Sequence, residues 1–312
     1  MKHKEKNFIS AVIYVRNEEK QIANMLATLN RILGENFEKF EIICVDDASV
    51  DSSIKMIKSY AQEHTKSMIT IVSMGYYQGI EHAMNAGVDL SIGDFVYEFD
   101  SATIDYEENL IMDIYYKLLE GYDIVKAIPN IKLKFFSKIF YDIFNHYSGS
   151  LNKLTTERFR IISRRAINRI YKGTVMIEYR KAIYATCGLD AADIKYSIIS
   201  HKTIEKKEKD REYRWNLAID SLILFTDVAE NLSQKLVMLM MGLTLITGIY
   251  AVIIKINGNP VSGWTTIILF MSFGFFCIFT ILSIMIKYLS LITRISYQKQ
   301  KYIIESIEKI TK

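Results

Sequence analysis

The sequence predicts an α/β fold built on a doubly wound, mostly parallel sheet and followed by a two-helix transmembrane hairpin. Three observations carry this. Between Phe8 and Ile128, short apolar runs alternate with helical stretches. Polar residues bunch directly after several of those runs. Near the C-terminus, Leu236–Ile254 and Trp264–Ile286 contain no charged side chain, and each is long enough for a helical span, which takes about 20 residues.

The elements follow in order. Phe8–Val15 is apolar and β-branched, a buried strand. Glu18–Leu33 places Ile22, Met25, Leu26, Leu29 and Ile32 on one helical face. Glu41–Val45 is a second strand, and Ser52–Ala61 a helix capped by Asp51 or Ser52. Met68–Ser73 is a third strand. Gly79–Leu90 is a helix whose Ala83, Ala86 and Gly87 permit close packing. Asp94–Phe99, Asn109–Leu119 and Tyr122–Ile128 read as strand, helix and strand, with Gly121 closing the helix. Strands alternating with helices imply parallel βαβ units, whose ligands sit at the carboxyl ends of the strands.

Beyond Pro129 the pattern changes. Lys132–Tyr147 is a basic, aromatic amphipathic helix suited either to headgroups or to packing on the sheet. Arg158, Arg160, Arg164, Arg165 and Arg169 cluster around Phe159–Ser163, and guanidinium forks suit phosphate. Ser163–Tyr171 reads as a helix and His201–Arg214 as a mixed-charge loop. Trp215–Leu232 reads as a helix along the membrane before the first span. The domain expectation is therefore residues 1–210 for the α/β body and 211–234 for a juxtamembrane helix. The hairpin takes 235–290 and a cytoplasmic tail 291–312.

The chain has 312 residues, a formal net charge of +4 and three widely spaced cysteines, Cys44, Cys187 and Cys277. Mild charge without a basic stripe argues against nucleic acid as a partner. Cysteine spacing offers no metal motif and fits a reducing compartment. The N-terminus has no secretory pattern. Lys235, Lys287, Arg294, Lys299 and Lys301 flank the runs, against Lys255 alone in their connection. The positive-inside rule then puts both termini and the body on the cytoplasmic side of the inner (plasma) membrane. Gly242, Gly248 and Gly274 leave room for helix contacts, including between copies of the chain.

Three polar strand ends form the candidate site: Arg16-Asn17-Glu18, Asp46-Asp47-Ala48-Ser49 and Asp100-Ser101-Ala102. In this order, ahead of a hairpin, they resemble the inverting family 2 glycosyltransferases of GT-A fold. The resemblance is to the polyprenyl-phosphate branch related to dolichol-phosphate mannose synthase. The matching segments are Val15-Arg16-Asn17-Glu18, Val45-Asp46-Asp47-Ala48-Ser49-Val50-Asp51, Ser73-Met74-Gly75 and Gly93-Asp94. Phe159-Arg160-Ile161-Ile162-Ser163-Arg164 and Trp215-Asn216-Leu217-Ala218 complete the set.

The resemblance implies transfer of a sugar from a nucleotide sugar, with a uridine donor favoured, to a polyprenyl phosphate. Val15, Asn17, Glu18, Asp46, Asp47, Ser49, Gly75 and Ser101 would line the donor site. Asp100 and Asp105 would be the catalytic carboxylates, with Asp100 reaching the diphosphate through Mg2+ or Mn2+. Arg158, Arg160, Arg164, Lys207, Lys209 and Arg211 would receive phosphates. The chain departs from the family where Asp-x-Asp-x-Gln-Asp is expected. It has Asp100-Ser101-Ala102-Thr103-Ile104-Asp105, and Glu157-Arg158 replaces a Gly-Asp. Three readings stay open: a metal held by Asp100, diphosphate oxygens and water; Arg158 replacing some of the metal's charge; or a site without transfer activity. Two other functions remain beside the first, extension of a lipid-linked sugar and a non-catalytic nucleotide-sugar-binding scaffold.

Overall fold

A computed structural model describes residues 3–64, 68–131, 135–149, 152–173, 179–199, 216–222, 263–297 and 302–310, with scattered positions between 226 and 249. The chain divides into two compact units. The first holds Met1–Asn145, Ser150–Leu217 and Gln300–Lys312.

Its elements run β1 (Glu5–Val15), α1 (Ile22–Asn36), β2 (Phe37–Asp46), α2 (Ser53–Glu63), β3 (Met68–Met74) and α3 (Ile80–Leu90). Then come β4 (Phe95–Phe99), α4 (Leu110–Leu119), β5 (Ile124–Pro129), α5 (Phe135–Tyr147), β6 (Phe159–Ser163) and α6 (Arg164–Gly173). The unit finishes with α7 (Arg180–Thr186), β7 (Ala191–Tyr196) and β8 (Ile304–Ile310). The eight strands among the described residues share one sheet in the order β7-β5-β6-β4-β1-β2-β3-β8. Pairings among β4, β1, β2 and β3 are parallel, as is β5 with β7. β6 runs antiparallel to both neighbours, and β8 runs antiparallel to β3.

The central strands read as continuous apolar runs because helices cover both faces. Ile9, Ala11 and Ile13 of β1 join a core with Met25 and Leu29 of α1 and Ile111 and Ile114 of α4. Val12 and Val45 face the other way, toward α3. There a Cβ on Gly87 would lie 2.4 Å from Val12 Cγ1 and 2.7 Å from Val45 Cγ2, so only glycine lets α3 approach. Gly93 meets the same limit against the Ser10 backbone, where a Cβ would lie 2.6 Å from the amide nitrogen.

Each strand and helix expected up to Ile128 is present, with shifted ends. α1 starts at Ile22 rather than Glu18 because the residues before it are tied into a loop. The Asn17, Glu18 and Glu19 amides donate to Ser49 Oγ, Ser53 Oγ and Asp51 Oδ2. β6, β7 and β8 were not among the expected strands. The segment read as a cytoplasmic tail supplies β8, so the α/β body does not end at residue 210.

The second unit comprises His146–Gly149 and Ala218–Lys299. The second apolar run lies within one helix, Trp264–Tyr297, of 34 residues. Lys287 Nζ pairs with Asp220 Oδ1 at 2.8 Å. Among the described residues no helix is long and apolar enough to cross a membrane. Most of the first run and the connection at 255–262 lie outside the described residues.

Candidate active site

Chain order turns back on itself at β1, with β2 and β3 on one side and β4 on the other. The crevice beyond the carboxyl ends of β1 and β4 is therefore the switch point where such sheets bind ligands. Asn17 and Glu18 follow β1, Asp46 and Asp47 end β2, and Asp100 follows β4. Because β6 is antiparallel, its first residues arrive at the same edge: Phe99 pairs with Phe159, and the Asp100 amide donates to the Arg158 carbonyl at 3.3 Å.

The loops after β1 and β2 lock together. Asn17 Oδ1 accepts from the Val50 amide at 2.8 Å, and Arg16 donates to the carbonyls of Asp47 and Ala48. The Arg16 guanidinium also stacks on Tyr77, 4.0 Å from its ring centre. Asn17 and Ala48 both sit at φ 54, in the left-handed region. Asp47 is fully buried and caps α3, accepting from the Gln78 amide at 2.8 Å, the Gly79 amide at 2.9 Å and Tyr14 Oη at 3.0 Å. Burial pushes its carboxyl up, against those donors.

Asp46 accepts from the Ser49 amide through Oδ2 at 3.1 Å. Its Oδ1 is buried with no hydrogen-bond partner. An unfilled carboxylate oxygen is costly unless a ligand N–H or O–H fills it. Glu18 hydrogen-bonds Ser101 and so bridges the ends of β1 and β4. Burial raises its carboxyl to about 7, while Ser101 pulls the other way and Asp51 adds to the rise.

Asp100 has the most charged surroundings. Its Oδ2 lies 2.9 Å from Lys181 Nζ and 3.3 Å from Arg160 Nη2, and its Oδ1 lies 3.1 Å from Arg180 Nη2. Burial alone would raise this carboxyl, but Lys181, Arg160 and Arg180 outweigh it and hold Asp100 well below the usual carboxylate range. Behind it, Arg180 also pairs with Glu81 and Glu98, and Arg160 with Glu98 and Glu157. Tyr184 Oη donates to Glu98 at 2.7 Å.

The structure brings together Val15, Asn17, Glu18, Asp46, Asp47, Ser49, Ser101 and Asp100 at the carboxyl edge. Val15 contributes its carbonyl to the Asp47 amide. Gly75 stands at the end of β3, beside β8, where its amide donates to the Ile303 carbonyl. Asp105 lies deeper, held by Arg158 at 3.1 Å and by Tyr196 Oη at 2.9 Å. Arg158 is partly exposed, whereas Arg160 is fully buried in ion pairs beneath Asp100. Arg164 needs correction as a phosphate receiver. β6 carries it to the opposite end of the sheet, where its amide bonds the Asp94 carbonyl and its guanidinium bonds Gly93 and Ser91. Lys207, Lys209 and Arg211 lie outside the described residues. Arg180 and Lys181 were not singled out from the sequence.

A divalent ion does not fit the residues present. Ala102, where a second carboxylate is expected, is 1 % exposed and packs in the apolar core. Among the described residues no group of three or more His, Cys, Asp or Glu side chains is placed to hold a metal. Both oxygens of Asp100 face cations. Like unit charges about 4 Å apart repel by about 4 kcal/mol at an effective dielectric near 20, and a dication doubles the repulsion from each.

Sheet order and strand-end chemistry define a GT-A-like α/β protein. Residues 10–174 match glycosyl transferase family 2; the chain belongs to that family and is a glycosyltransferase. It is 28% identical over 225 residues to an uncharacterized glycosyltransferase of Synechocystis sp., covering 70% of this chain and 69% of the relative. It is 32% identical over 119 residues to an undecaprenyl-phosphate 4-deoxy-4-formamido-L-arabinose transferase of Proteus mirabilis, covering 38% of this chain and 36% of the relative. The fold is also similar to glucosyl-3-phosphoglycerate synthase from Mycobacterium tuberculosis, solved with Mn2+, uridine diphosphate and phosphoglyceric acid. That similarity has a TM-score of 0.53 and 15% identity, covering 70% of this chain and 78% of that one.

Proposed function

We propose that this glycosyltransferase moves a sugar from a nucleotide sugar to a polyprenyl phosphate at the cytoplasmic face of the inner membrane, as an inverting enzyme anchored by a C-terminal hairpin. The single observation that carries the donor half is the switch-point crevice, with the buried, unfilled Asp46 Oδ1 at its edge. A nucleobase N–H is a natural donor to that oxygen. Glu18 and Ser101 then lie between the base end and the diphosphate end at Asp100.

The acceptor half rests on the undecaprenyl-phosphate relative and on the two uncharged runs. The helix Trp264–Tyr297 turns Phe276, Phe279 and Ile286 outward, each more than half exposed, as a lipid-facing helix would. A phosphate oxygen is already an anion, so the acceptor needs no strong general base. It attacks the anomeric carbon, the bond from that carbon to the donor's phosphate oxygen breaks, and the nucleoside diphosphate leaves with the electron pair. The protein's part is to hold both partners in line and to stabilise the departing charge.

The test is transfer by the full chain in detergent, offered a panel of nucleotide sugars with either undecaprenyl phosphate or a lipid-linked sugar as acceptor, with product read by mass spectrometry. A lipid-linked monosaccharide from at least one donor is expected. Nucleotide-sugar turnover only onto a lipid-linked sugar would replace this acceptor, and no product with any donor would overturn the reading.

A further inference from the structure

Of the three cations on Asp100, one differs from the others. Arg160 and Arg180 side chains are 0% exposed, and each has further carboxylates of its own in Glu157, Glu98 and Glu81. Lys181 is 16% exposed. Among the described residues its only carboxylate partner is Asp100, at 2.9 Å, and it also donates to the Glu157 carbonyl at 3.2 Å. An ammonium has three N–H donors, and these contacts use two. The third is left at the carboxyl end of β4, where the proposed donor's diphosphate would lie.

We infer that Lys181 supplies the positive charge for a nucleoside diphosphate at this site, in the place where a divalent metal ion would otherwise stand. This rests on the donor reading above. Asp100 then serves as the anchor that fixes Lys181 Nζ at the crevice, rather than as a metal ligand. Arg180 and Arg160 hold Asp100 ionised from behind. Three features converge on this: a carboxylate bound by three cations, the apolar burial of Ala102, and a lysine that reaches solvent where the two arginines do not. As the donor's anomeric bond breaks, negative charge grows on the diphosphate oxygen, and a fixed ammonium meets it without giving up a proton.

The experiment is calorimetric binding of uridine diphosphate and guanosine diphosphate to the full chain in detergent, with EDTA or with Mn2+. The matching nucleoside monophosphate is the control. For whichever diphosphate binds, wild-type affinity is expected to change less than threefold between EDTA and Mn2+. K181M is expected to weaken the diphosphate at least tenfold and the monophosphate less than threefold. K181R, which keeps the charge, should recover most of the loss, and equal melting temperatures would show that the variants fold. Wild-type binding that falls tenfold or more in EDTA overturns the inference and leaves the donor reading standing. Equal weakening of diphosphate and monophosphate in K181M also overturns it. Absence of binding by either diphosphate under both conditions overturns the donor reading itself and the inference with it.

Discussion

Replacing Arg180 by methionine should cost the α/β unit about 3–5 kcal/mol of stability. The guanidinium is fully buried and pairs with Glu81 at 3.0 Å, with Asp100 at 3.1 Å, and with Glu98. Methionine fills similar space but leaves Glu81 and Glu98 buried at 2% and 0% exposure with a shared cation gone. Removing one partner of a buried pair costs about 3–5 kcal/mol, chiefly because the survivor's charge is uncompensated. For a unit of this size about 1 kcal/mol moves the melting temperature by roughly 2–4 °C, so R180M should melt about 6–20 °C lower.

The assay is thermal unfolding of wild type, R180M and the double variant R180M/E98Q, followed by circular dichroism in one detergent. Because E98Q removes one stranded charge, the double variant should recover part of the loss. It should not recover all, since Glu81 remains. A shift under 2 °C in R180M, or a double variant at or below the single one, would refute the claim that this network is held by charge compensation.

Gly87→Ala should destabilise by about 1–3 kcal/mol or more, read by urea unfolding, because its Cβ would lie 2.4 Å from a Val12 methyl in a packed core. Ala48→Gly should raise stability by up to about 1 kcal/mol in the same measurement, since φ 54 strains alanine and not glycine. Glu18 holds its proton in the folded chain up to about pH 7 but releases it near 4.5 when unfolded. Its contribution to stability is therefore full below that lower value and is lost as pH rises through the window, and Glu18→Gln should flatten that part of a melting-temperature-versus-pH curve.

The first half of the fold was legible because two signals coincide there: continuous apolar strands and polar residues clustered at one end of each. The second half hides its strands. β6 carries Arg160 at its second position, and an arginine in an apolar run reads as surface unless a buried counter-charge is suspected. Such a signal existed. Glu98 stands inside an otherwise buried strand, and a buried carboxylate demands a buried cation. That reasoning points toward arginines such as Arg160 and Arg180, but it cannot choose between them, because the pairing is made by tertiary contact. β8 was missed for another reason. Ile304, Ile307 and Ile310 recur every three residues, a spacing closer to a helix than to the alternation of a strand. Of the site, the donor end was readable from β1, β2 and β4, while Lys181 lies eighty-one positions beyond Asp100 with no local motif to announce it.

Asp100 paired with Lys181 balances charge as a two-carboxylate metal site does. Two carboxylates and a divalent ion sum to zero charge, and so do Asp100 and Lys181 alone. Restoring the carboxylate is therefore not expected to restore a metal site. Ala102 is 1% exposed among the side chains of the core, so the new group in A102D would enter an apolar environment and not the crevice. Burying a carboxylate without a partner costs about 3 kcal/mol or drives the group to stay protonated. A102D should therefore melt lower than wild type, and its affinity for Mn2+, measured by calorimetry or by the ion's paramagnetic resonance signal, should not increase. A variant that kept its melting temperature and gained Mn2+ binding together with Mn2+-dependent diphosphate affinity would mean that the loop after β4 opens toward the crevice, and that Lys181 gives way to a metal ion when one is offered.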